Sequence, residues 1–137
     1  MDGMSRGLTV LSLVLASRTM LGDPPAPIPP QLCGRIWQVK SEGARNAAGM
    51  IYIFLKSGML LETSCVETYR IALWSADREA PNVLHVMEDG RPAFTAKILE
   101  LNGSKLRFIR KLAWAADTRE ITLTAVTKEF VCPDLPK

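Results

Sequence analysis

The sequence predicts an all-β chain, an antiparallel up-and-down barrel of about eight strands. Three observations point there. Short apolar runs with alternating side chains recur about every ten residues, and the breaks between them carry Gly, Asn and Asp suited to hairpin turns. After residue 32 no stretch shows the three-to-four-residue periodicity of an amphipathic helix. A meander with open edges invites edge-to-edge pairing, and closure into a barrel removes both edges. A two-sheet sandwich is the rival that the turns alone leave open.

With 137 residues, 47% of them apolar, the chain suits one domain with a substantial core. Residues 1–17 have a short polar start with Arg6, an apolar run from Leu8 to Ala16 and small residues at its end. This is the layout of a secretory signal peptide, too short to span a bilayer, so no stable membrane span is expected in the mature chain. It implies a periplasmic or secreted protein. Residues 18–32 form a proline-rich spacer, since Pro24, Pro25, Pro27, Pro29 and Pro30 remove the backbone donors that a strand or helix needs. The barrel domain is expected over 33–132, with a tail at 133–137.

The first strand is read at Ile36–Val39. Ile51, Ile53 and Leu55 alternate with Met50, Tyr52 and Phe54, Lys56-Ser57-Gly58 breaks the run, and Leu61, Thr63 and Cys65 resume it. In the next strand Tyr69, Ile71 and Leu73 share one face and Arg70, Ala72 and Trp74 the other. Val83–Glu88 follows, and Asp89-Gly90 turns the chain into Ala93–Leu99. Pro92 stands at that strand's entrance, where a missing donor does least harm. Asn102-Gly103-Ser104 leads into Lys105–Leu112, and Glu120–Thr127 completes the series.

In an even-stranded antiparallel barrel the first and last strands are neighbours. Cys33 and Cys132 are therefore expected to meet and, in an oxidising compartment, to form a disulfide across the seam. Closing a loop of about 100 residues stabilises by roughly 4 to 5 kcal/mol in the chain-entropy model. Cys65, the third cysteine, reads as a small buried hydrophobe.

Little in the sequence points to catalysis, and no enzyme, metal site or cofactor is expected. His85 is the only histidine, and pairing with Cys65 would require both to point inward. No close-spaced metal ligands, phosphate loop or nucleophile elbow is present. Glu62, Glu67, Glu88 and Glu100 read as solvated carboxylates at strand ends. A net charge of +3, spread among acidic residues, argues against nucleic acid as a partner. Arg110 aligns with Leu106 and Phe108, so an inward Arg at a barrel mouth is one reading of that strand, and outer-face charge that blocks edge pairing is the plainer one. Apolar residues on both faces of the 50–55 run predict an exposed patch covered by the proline-rich segment, a second subunit or a partner.

Gly34 and Trp37 at the first strand, the meander of hairpins and a last strand returning to the first together resemble the small bacterial lipocalin-like barrels of the calycin type over residues 34–130. Arg35 and Ile36 separate Gly34 from Trp37, where lipocalins carry one residue. The resemblance implies a barrel that binds a small, mostly apolar ligand in its interior or at its mouth. Tyr69, Ile71, Leu73, His85, Phe94, Phe108 and Leu123 are the expected ligand-binding residues. The alternative is an exported protein-protein interaction or inhibitor module, or a homodimer, acting through its outer surface with Tyr52, Phe54 and Trp74 as anchors.

Overall fold

The computed structural model describes residues 26–43, 49–65 and 68–130. The expected signal peptide, the C-terminal tail and Cys132 lie outside them. Eight strands run in chain order: β1 (Trp37–Glu42), β2 (Ile51–Phe54), β3 (Met59–Thr63), β4 (Arg70–Ala76), β5 (Val83–Glu88), β6 (Arg91–Leu101), β7 (Lys105–Leu112) and β8 (Thr118–Ala125). Each pairs antiparallel with the next, and β1 pairs with β8, so the sheet is a closed barrel and not a sandwich. The β5–β6 turn has positive φ at both Asp89 (49°) and Gly90 (74°), as a two-residue type I′ hairpin requires.

Side chains alternate across the sheet, so each strand commits one set of residues to the interior. The large rings take it. Trp37, Tyr52, Phe54 and Phe108 are fully buried, together with Leu60, Leu84, Leu106, Ile121 and Leu123. Phe54 meets Trp74 edge-on at 5.7 Å and Tyr52 meets Phe108 edge-on at 6.2 Å, the T-shaped geometry that aromatic quadrupoles favour. Ala72 and Ala96 fill the narrower places. In consequence the opposite faces of β2 and β4, with Ile53, Ile71 and Leu73, are turned outward.

One end of the barrel is capped by the segment before β1. Leu32 is fully buried there, and its carbonyl accepts a 2.9 Å bond from the Trp37 indole Nε1. Arg35 straps the same segment down, donating to the Gln31 carbonyl at 3.1 Å and to the Gly103 carbonyl in the β6–β7 turn at 2.8 Å. The end of the proline-rich stretch thus contributes to the core as well as spacing it.

The expected Cys33–Cys132 disulfide is not formed, because Cys33 carries a free thiol. Positive φ at Gln31 (69°) and Gly34 (77°) turns the chain on either side of Cys33, and it is Cys65, expected to be a small buried hydrophobe, that is disulfide-bonded. Closure rests on the β1–β8 ladder, whose register runs from Trp37↔Ala125 to Glu42↔Ile121 with a bulge between Val39 and Ser41.

If Leu32 seals the end, Leu32→Ala should cost about 3 kcal/mol of unfolding free energy, whereas Tyr69→Ser on the outside should change it by less than about 0.5 kcal/mol. Urea titration of both variants measures the difference.

Candidate functional site

The other end of the barrel is a mouth lined by charge. Arg110 continues the inward row of Leu106 and Phe108 on β7, and its guanidinium is ion-paired with Glu42 on β1. Arg119 lies 3.6 Å from the same carboxylate and 2.9 Å from Asp117. Glu62 continues the inward row of Leu60 on β3 and is only 4% exposed. Burial, then the charge of Glu88, pushes its carboxyl up to about 7, against the opposing pull of Arg70, and a hydrogen bond to Glu88 adds to the rise. Tyr52 lies beside them, its hydroxyl held by Arg110 and its acidity weakened chiefly by burial and next by Glu62. Arg110 and Arg119 are already neutralised by protein carboxylates, which leaves the mouth a poor receiver for an anionic head group.

The second feature is on the outside. Cross-strand pairing sets Ile53 beside Leu61, Leu61 beside Ile71, Met59 beside Leu73 and Leu73 beside Met87, a continuous apolar strip across β2–β5. Ile71 and Leu73 are more than half exposed, and Tyr69 at the end of the row is 68% exposed. The strip leads past Met87 into a cleft of about 410 Å³ between β5, β6 and β7. A bulge lies at its edge. Val86 pairs with Phe94 but Met87 with Pro92, so Ala93 is an extra residue in β6, and its carbonyl is taken by the Ala113 N–H at 2.9 Å. Val86, Met87, Pro92, Phe94, Leu112 and Ala113 give it apolar walls, with Val86, Phe94 and Leu112 belonging to the core-facing set of their strands, while His85, Thr95 and Lys111 form a polar rim.

No family model, curated protein or solved structure matches this chain. The site therefore rests on its own geometry.

The residues singled out from the sequence divide sharply. Tyr69, Ile71, Leu73 and His85 face outward; Phe94 is mostly buried and lines the cleft. Phe108 and Leu123 are fully buried in the core. Tyr52, Phe54 and Trp74, expected as outer anchors, are interior instead, since their rings fill the barrel and Trp74 Nε1 donates to the Leu55 carbonyl at 3.0 Å. The anchor role passes to the opposite face of the same strands. His85 is bound to Asp77 at 2.9 Å on the surface, and Cys65 sits against Gly49 in the β3–β4 connection, so the two do not form an inward pair. Among the described residues no cluster of three or more His, Cys, Asp and Glu is placed to hold a metal ion. The sequence signal for Glu62 was its place two residues after Leu60, on the inward parity of β3.

Below about pH 4.5 the Glu62 carboxyl is protonated in folded and unfolded chains alike and contributes nothing to pH dependence. Between there and about 7 the unfolded chain ionises while the folded one holds its proton, so stability falls as pH rises, by on the order of 3 kcal/mol in all. Urea unfolding of the wild type should give a lower midpoint at about pH 8 than at about pH 5, and Glu62→Gln should flatten that slope.

Proposed function

We propose that the protein is an exported, lipocalin-like binding protein whose small, mostly apolar ligand sits in the outer cleft beside the β6 bulge instead of inside the barrel. The observation that carries this reading is the cleft itself. Its volume of about 410 Å³ and its apolar walls with a few polar groups on one rim fit the usual form of a small-molecule site. The interior is packed with Trp37, Tyr52, Phe54, Phe108 and their aliphatic neighbours. The lipocalin-like build is supported by the closed eight-stranded meander, and export by the signal-like residues 1–17.

A second reading draws on the strip of Tyr69, Ile71 and Leu73, whose exposure beside the half-exposed Met87 suits association with a protein, a second copy included. Nothing in the mouth favours catalysis over a structural role for the buried Glu62 beside Glu88, and no reaction is proposed.

Titrating 1-octanol into the full chain should shift amide NMR resonances at Met87, Thr95, Leu112 and Ala113. Ala113→Trp, which fills the cleft from an exposed position, should abolish those shifts and leave the fold intact. Shifts centred on Leu84 and Phe108 would place the ligand inside the barrel and refute the outer site. For the second reading, sedimentation velocity should show self-association that Leu73→Asp dissolves; equal monomers for both would exclude a homodimer through the strip.

A further inference from the structure

We infer that the outer cleft is built for a compact amphiphilic monocarboxylate, with its apolar body against Met87, Pro92, Phe94 and Leu112 and its carboxylate on Lys111. This rests on the reading of the cleft as a binding site and adds the chemistry of its ligand. The polar groups are not scattered round the opening. His85 pairs across the sheet with Thr95, and Thr95 with Lys111, so all three stand in one outward row along one side.

Their partners differ in a way that singles out Lys111. His85 is engaged by Asp77 through Nε2 at 2.9 Å. Further along the outer face of β7, Lys105 lies 3.6 Å from Glu100, and Arg107 lies between Glu100 at 3.7 Å and Glu120 at 3.3 Å. Lys111 alone among these outward cations of β7 has no ion-pair partner among the described residues, and it is the one that borders the cleft.

A carboxylate seated at that rim can accept from Lys111 Nζ and from the Thr95 hydroxyl, while its hydrocarbon leaves water against the apolar walls. An ammonium at the same place would meet the lysine charge and be repelled. A neutral head group would gain only the apolar contact. The positive charge therefore selects among ligands that the apolar walls would otherwise accept alike.

The test is calorimetric titration of the full chain with octanoate, 1-octanol and octylammonium. Octanoate should bind about three- to tenfold more tightly than 1-octanol, the range of an exposed charged contact, and octylammonium more weakly than either. The octanoate advantage should shrink with added salt. In Lys111→Gln, octanoate and 1-octanol should bind alike, with 1-octanol affinity unchanged. If octanoate shows no advantage in the wild type, or keeps it in Lys111→Gln, the carboxylate assignment is overturned while the apolar cleft stands. Failure of all three probes to bind overturns the cleft as a site, and the assignment with it.

Discussion

The interior of a small closed barrel admits one face of each strand and no more. Here that constraint decides everything else. Trp37 on β1, Tyr52 and Phe54 on β2, Trp74 on β4 and Phe108 on β7 together fill the space, and their edge-on contacts lock the choice of face. A slip of one residue in β2 or β4 would exchange Tyr52 and Phe54 for Ile51 and Ile53, or Trp74 for Leu73, and leave the centre underfilled. Since β2, β3 and β4 carry apolar residues on both faces, filling the interior with one set exposes the other. The outer strip is the direct consequence of the packed core.

The two ends of the barrel are managed differently. Leu32 and the Trp37 indole close one end with apolar contact and a buried hydrogen bond, and Arg35 ties the cap to the β6–β7 turn. The mouth at the other end is closed by charge: Glu42 and Asp117 neutralise Arg110 and Arg119, and burial beside Glu88 favours the neutral form of Glu62. Buried charge is tolerated only when paired or neutralised, and both solutions are used within one ring of residues. With one end plugged and the other internally satisfied, the bulge at Ala93 is where the wall of the barrel departs most usefully from regularity.

Much of the fold was legible in the sequence. Asp89-Gly90 marked its hairpin because few other residues accept those backbone angles, Asn102 marked the next by a side chain that accepts from the Ser104 and Lys105 N–H groups, and the strands Val83–Glu88 and Lys105–Leu112 were read with the bounds the structure has. Faces were less legible. Alternation in β4 separates Ala72 and Trp74 from Ile71 and Leu73, yet hydrophobicity alone favours sending the second pair inward. The decision came from volume, since Ala72 beside Trp74 fits the aromatic centre, and volume is a property of all eight strands at once. The same limit hid the site. Tyr69, Ile71, Leu73 and His85 were expected round one ligand with Phe94, Phe108 and Leu123, whereas the first four face outward and Phe108 and Leu123 are packed in the core, and the bulge beside the cleft shows in the sequence only as Pro92-Ala93 at the start of a strand. The cysteine argument failed in its choice of residue: strand order brings the chain ends together but does not say which thiol is used, and Cys33 stays free while Cys65 is disulfide-bonded.

Diffraction from crystals held under xenon gas tests the central claim most directly, because xenon settles wherever apolar surface encloses empty space. A full interior predicts xenon in the cleft walled by Met87, Pro92, Phe94 and Leu112, and none between Phe54, Leu84 and Phe108. Density for xenon on the barrel axis, with the outer cleft vacant, would contradict the account.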